Sequence, residues 1–272
     1  MKKSIAKIMA SALALSLMTL SLMGCSSSSA PAAETTAAAA SEQAASGSSD
    51  TKIVIQAGHV QPTSGSFHAG LEKFKEVAEA ESNGTIEVQI FSDGTLGGER
   101  EMIEGMQAGT VDAVFTTLSP MASFAPNVSI FDIPFLYRDY DHAKAVWDSE
   151  IGDKLKEDIK SVGVLPLGFA DFGFRYLTNN KRPVVTPEDL KGLKIRVMQS
   201  EMQIETWQTL GADPQSMSIT EVFNALQTGV VDGQENPFSA IKNNKFNEVQ
   251  KYISFTGHMF GPAIMCISQK NI

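Results

Sequence analysis

Two stretches of the chain share one rhythm of apolar and polar positions. Met102, Ile103 and Met106 fall at i, i+1 and i+4, and so do Val222, Phe223 and Leu226, the spacing of one helical face. Each pattern halts at a glycine, Gly109 or Gly229, where a helix needs a left-handed stop. A short apolar run and an aspartate follow, Asp112 in one copy and Asp232 in the other. Residues 105–112 therefore read as the counterpart of 225–232. The flanks extend the match, since strand-like 53–57 answers 194–198 and 86–91 answers 213–217. A strand–helix–strand–helix–strand unit written twice predicts an α/β protein of two similar lobes, with a cleft between them suited to a small molecule.

The same periodicities predict helices over 66–82, 99–108, 141–147, 151–162, 201–210, 220–228 and 236–244. They predict further strands over 111–116, 164–170, 230–233 and 263–268. Glu99 and Glu101 suit the dipole at the start of their helix. Asn236 followed by Pro237 reads as the cap and first turn of the 236–244 helix. Residues 172–180 read as the passage into the second lobe, and 249–255 as the return. Lobe I is expected over 51–171, with a return segment 260–272, and lobe II over 172–259.

The N-terminus is written differently. Lys2, Lys3 and Lys7 precede an apolar stretch, 8–22, too short and too rich in small residues to span a membrane. It ends at Gly24-Cys25, which resembles the bacterial lipoprotein processing site. Residues 1–24 are thus expected to be an export signal, and Cys25 the first mature residue, carrying lipid that anchors the protein to the membrane. Residues 25–50 are Ser/Ala-rich with no aromatic or branched apolar residue. Such a segment buries too little surface to order itself, so a disordered tether is expected.

Composition then removes several classes. The formal net charge is −9, and loss of three leader lysines makes it more negative, so nucleic acid is excluded as a partner. An anion site must be built from local donors. If Cys25 is lipidated, Cys266 stands alone and no internal disulfide forms. No two of the four histidines have i, i+3 or i+4 spacing, and no Gly-x-Ser-x-Gly elbow is present. Neither a metal site, a cofactor nor an enzyme is expected.

Three places hold candidate chemistry. Arg196 lies inside a predicted parallel strand, where both faces are covered and a guanidinium needs a partner. That partner is an acid of the same lobe or a ligand carboxylate held by two parallel hydrogen bonds. Arg175 sits among Phe172, Phe174 and Tyr176 at the crossover, either in a hinge ion pair or toward the cleft. Residues 232–237 bring acid and amide groups, Glu235 and Asn236 among them, to a strand end.

With these residues in place, the runs 194–197, 210–214 and 220–237 resemble the solute-binding subunit of tripartite ATP-independent periplasmic (TRAP) transporters, of the DctP type. Gly58-His59, 96–99 and 131–136 fit its first half, and 244–252 with Gly257-His258 its second. The resemblance implies a two-lobed fold like that of type II periplasmic binding proteins and no catalysis. It implies capture of an organic acid, a carboxylate or dicarboxylate, for delivery to TRAP permease membrane subunits driven by an ion gradient. Arg196 would clamp the ligand carboxylate, Arg175 would line the same cleft and Asn236 would hydrogen-bond the ligand. His59, Thr117, Trp207 and Phe223 would help set its identity. Ile219 and Thr117 depart from the Phe and the acid of sialic-acid-binding members, which argues against that ligand. The resemblance also implies C-terminal helices with no counterpart after Ile272. Location at the membrane, facing the periplasm or the cell exterior, follows. The alternatives are the binding protein of an ATP-driven importer and, more distantly, an exported hydrolase.

Overall fold

Both glycine stops form as the spacing predicts. Helix α2 (Glu99–Ala108) ends on Gly109 at φ 83°, and α6 (Ile219–Thr228) ends on Gly229 at φ 76°, a backbone region that a side chain disfavours. The computed structural model describes residues 52–272. The expected signal 1–24, Cys25 and the tether 25–50 lie outside the described residues.

Around α2 the chain forms β1 (Ile53–Gly58), α1 (Ser66–Glu81), β2 (Ile86–Phe91) and β3 (Ala113–Thr117). Around α6 it forms β5 (Lys194–Val197), α5 (Glu201–Thr209), β6 (Asp213–Ser216) and β7 (Gly233–Asn236). β1 runs parallel between β2 and β3, and β5 runs parallel between β6 and β7. The repeated unit is therefore repeated in topology. Helices α3 (Tyr140–Trp147) and α4 (Glu150–Lys160) follow the first unit, and α7 (Phe238–Asn243) follows the second.

The aspartate closing each unit does the same work twice. Asp112 Oδ2 accepts from the Gln56 N–H at 2.7 Å, and Asp232 Oδ2 accepts from the Lys194 N–H at 3.0 Å. Each aspartate N–H returns a bond to the carbonyl of that same residue. Gln56 is thus the structural counterpart of Lys194, and Gly58 that of Arg196. The sequence pattern had aligned residue 53 with 194, three positions away. Apolar composition fits several registers equally, whereas the carboxylate bond selects one.

Two long strands correct the predicted chain path. Residues 164–170 and 172–180 are not strand and passage but one strand, β4 (Val164–Asn179). The segments expected over 249–255 and 263–268 likewise join in β8 (Tyr252–Ser268). They pair antiparallel along their length, with register breaks at Pro166/Gly168, Asp171/Gly173 and Arg175/Leu177. Bulges at these points accommodate Pro166, Gly168 and Gly173 without ending the strand. The result is one eight-stranded sheet, ordered β2-β1-β3-β8-β4-β7-β5-β6. Its first half packs on two apolar clusters, one around Met102, Ile103, Met106 and Phe131, the other around Phe67, Leu71 and Val88. Its second half packs on Leu177, Ile195 and Trp207 and on Val222, Leu226 and Phe246.

Candidate functional site

Arg196 occupies the middle of β5, paired on either side with Gln215 of β6 and Gln234 of β7. It is 2% exposed. Its Nε and Nη2 both donate to the Met217 carbonyl, at 3.0 and 2.8 Å, and Nη1 has no partner among the described residues. Among the described residues no carboxylate lies in ion-pair contact with it. Burial pushes its pKa down to about 10, although the negative charge of Glu235 opposes the shift. It is a cation at neutral pH, without a contacting anion.

Arg175 has the opposite arrangement. It stands on β4, fully buried, with Nε donating to Glu235 Oε2 at 2.5 Å and Nη2 donating to Oε1 at 2.8 Å. Nη2 also reaches the Glu235 carbonyl at 2.8 Å, and only Nη1 is left over. His258 Nε2 lies 3.3 Å from Glu235 Oε2, and its Nδ1 lies 2.8 Å from Thr256 Oγ1. Burial works to raise the Glu235 pKa, but the charge and hydrogen bonds of Arg175 outweigh it and bring it to about 2. A bidentate pair of this kind satisfies both ions at once. It joins β4, β7 and β8 below the level of ordinary strand pairing.

Arg196 borders a narrow cleft between the two halves of the sheet. From the first half of the sheet and its loops come Val60, Gln61, Phe67, Glu99 and Thr117. From the second half come Met198, Ile219, Asn236, Ala240 and Asn244, while Phe172 of β4 lies between. The two halves also touch at its margin, where Thr117 Oγ1 lies 3.7 Å from Met198 Sδ. Among the described residues, Arg196 is the only cation on this wall and Glu99 the only anion.

The residues predicted from sequence separate into two groups. Arg196, Thr117 and Asn236 line the cleft together. Asn236 ends β7 rather than capping α7, and its Nδ2 donates to Gln234 Oε1 at 2.6 Å. The helix cap falls to Pro237. Arg175 and Glu235 are engaged with each other. Trp207 lies edge-on to His258 at 5.1 Å, beside a separate apolar groove, and Phe223 packs against the Val222 cluster. His59 is buried one residue from the wall. Its Nδ1 accepts from the Gln61 N–H at 3.1 Å, so Nε2 carries the proton toward His68 Nδ1 at 3.0 Å. Burial, then the neighbouring His68, push its pKa down to about 4.

Gln61, Glu99 and Asn244 were not anticipated as wall residues. Glu99 had been read as a helix-dipole acid and as the end of the 96–99 run, and it is indeed the first residue of α2. Its position after a strand and a Gly-Gly loop carried the missing signal, because ligands in open α/β sheets bind outside the carboxyl ends of strands.

Residues 57–271 match the family described as bacterial extracellular solute-binding protein, family 7. The chain belongs to that family. Among curated relatives, a solute-binding protein of Verminephrobacter eiseniae is 41% identical over 209 residues, covering 76% of this chain and 62% of that protein. The chain thus spans somewhat under two thirds of that relative's length. Among solved structures, a TRAP periplasmic solute-binding protein from Polaromonas sp JS666, bound to D-erythronate, is 40% identical with a TM-score of 0.79. The match covers 80% of this chain and 72% of that one. Another, from Bordetella bronchispeptica, with ligand density assigned to pantoate, is 43% identical with a TM-score of 0.78, covering 80% and 73%. The two-lobed fold expected from the sequence is the fold of these TRAP periplasmic solute-binding proteins.

Proposed function

We propose that this protein captures a small organic acid between two lobes and presents it to an ion-gradient-driven TRAP permease. It acts by binding and release, without catalysis. The observation that carries this reading is the Arg196 guanidinium, buried beside the cleft with a free Nη1 and no contacting carboxylate. A buried charge in that state is costly to the protein alone. A ligand carboxylate supplies the missing anion and acceptor together. Asn236 keeps its side-chain oxygen free of internal partners, and Thr117 flanks the opposite wall. Arg175 and Glu235 act behind Arg196 as a fixed pair that keeps β4 and β7 in register, and the Glu235 charge favours the protonated guanidinium. His59 acts through Gln61. Trp207 and Phe223 support α5 and α6 from the apolar side.

In this reading 51–171 with 260–272 form one lobe and 172–259 the other. The ligand favours the state in which both walls contact it. Cys25 would carry lipid outside the cytoplasm, and the tether would let the folded part move between the medium and the permease.

Calorimetric titration with small carboxylates tests the proposal. Arg196→Ala should weaken binding by about 2–5 kcal/mol, the usual range for truncating one partner of a buried charged pair. Arg196→Lys keeps the charge but loses the planar fork, and should still cost at least about tenfold. Wild-type affinity in Arg196→Ala, with unchanged melting temperature, would reject the reading.

A further inference from the structure

We infer that Gly98 is the residue that lets the two halves of the protein shut beside the cleft, and that the space it leaves sets how long a ligand is held. This rests on the capture function proposed above and concerns the door of the site, not its ligand contacts. Helices α2 and α6 are each ten residues long, and each ends on a glycine stop. Counting back from Gly109 and Gly229 makes Gly98 the counterpart of Ser218, and these two are the N-caps of their helices. The equivalent positions face one another. A Cβ on Gly98 would lie 3.3 Å from Ser218 Cβ and 2.6 Å from its Oγ, nearer than non-bonded atoms settle. It would also meet Glu101 Oε2, but that is the tip of an exposed side chain and can turn away. The repeat thus brings the same position from each half to one spot, where there is room for one side chain.

Backbone conformation does not account for this glycine. Gly98 has φ −70° and ψ 176°, a region open to any residue. An N-cap ordinarily carries Ser, Thr, Asp or Asn, whose side chain satisfies a free N–H of the first turn. Gly98 forgoes that bond. The contact recurs close by, since a Cβ on Gly94 would lie 2.6 Å from Thr220 Cγ2. The loop 92–98 of the first half and the start of α6 in the second therefore form a seam, glycine against hydroxyl side chains. Glu99 and Ile219, the residues that follow Gly98 and Ser218, both border the cleft, so the seam closes the cleft along that side. A ligand held between the halves leaves when the seam parts. A seam that shuts less fully shortens its residence.

The first arm of the test needs no ligand. Gly98→Cys combined with Ser218→Cys, in the full chain treated with oxidised glutathione, should form a disulfide, because the Cβ positions lie near the separation of about 3.5–4.5 Å that such a bond requires. Neither single variant should form this link. Its absence in the folded double variant overturns the inference. The second arm follows release of D-erythronate, pantoate and succinate by stopped-flow fluorescence. Gly98→Ser supplies the ordinary cap and fills the seam. The ligand-free variant should melt at or above the wild-type temperature, yet release its acid about tenfold faster. Gly98→Ser with Ser218→Gly exchanges the two residues across the seam, and release should return to within about threefold of wild type. A merely structural role would lower the melting temperature and would not be rescued by the exchange. Unchanged release in folded Gly98→Ser, or no recovery in the exchanged pair, overturns the inference alone. If Gly98→Ser does not fold, the crosslink and the exchanged pair decide. Failure of every acid to bind the wild type while the link still forms overturns the parent reading, and this one with it.

Discussion

Arg196 was legible because a cation in an apolar strand violates a local rule that Arg175, among aromatics at an apparent crossover, violates less clearly. The structure separates them by partner. One has a carboxylate of its own, and the other has a carbonyl and an empty side. No sequence pattern makes that distinction, since Glu235 lies sixty residues from Arg175 and could have served either. His59 shows the same limit. It was noticed beside Gly58, but its effect lies in the tautomer fixed by Gln61. That bond has a consequence for pH. The folded protein holds His59 neutral down to about pH 4, while an unfolded chain protonates near its ordinary value of about 6.5. The unfolded state therefore binds more protons in between. Stability from this group is complete above about pH 6.5 and is lost as pH falls through about 4. Chemical denaturation at pH 7 and pH 4.5 should differ more in wild type than in His59→Asn, by on the order of 1–3 kcal/mol. Equal pH sensitivity in the two would remove His59 as the cause.

At the scale of elements, helices were readable nearly to the residue, because periodicity and glycine stops are local signals. Strands were less so. β7 starts at Gly233, not at Val230, since its start is set by pairing with β4 rather than by apolar content. Gly233 pairs with Asn179, and a Cβ built there would collide with the Thr178 carbonyl oxygen. A rigid backbone atom cannot step aside as a side-chain tip can. Gly233→Ala is expected to push β7 away from β4, destabilising the protein by about 2 kcal/mol or more, within the range for overpacked sites. It should also loosen the Arg175–Glu235 pair two residues further on. Thermal denaturation checks the first effect. Gly192→Ala, at a position with open space around it but a positive φ, provides a comparison in which only backbone conformation is strained.

The whole molecule is where the sequence said least. Two lobes were expected, joined by a passage at 172–180 and a return at 249–255, yet β4 and β8 carry the sheet across without interruption. Besides this ribbon and the Thr117–Met198 contact, a buried polar cluster links the halves. Asp132 Oδ1 accepts from Ser119 Oγ at 2.6 Å and from Gln203 Nε2 at 3.3 Å, and Oδ2 accepts from Ser200 Oγ at 2.6 Å. Ser119 follows β3, while Ser200 and Gln203 belong to the start of α5. Burial raises the Asp132 pKa even though these three donors hold it down. Asp132→Ala leaves three polar groups without their acceptor, at a cost of about 1–3 kcal/mol. In the ligand-free protein this should shift the population toward a more open form, read as a larger radius of gyration in small-angle scattering. An unchanged radius would mean that this cluster does not set the angle between halves. The equivalence of Gly58 with Arg196 reaches further. The two units share a plan, but where one projects a guanidinium the other has no side chain at all, and a Cβ there would press on Met102 Sδ. On the function proposed above, a guest molecule would have a fixed head and tail: its acidic head would turn toward the second unit, and whatever distinguishes one guest from another would be sensed by the first. Changes of diet among relatives should therefore be written mainly in the loops that follow β1, β2 and β3.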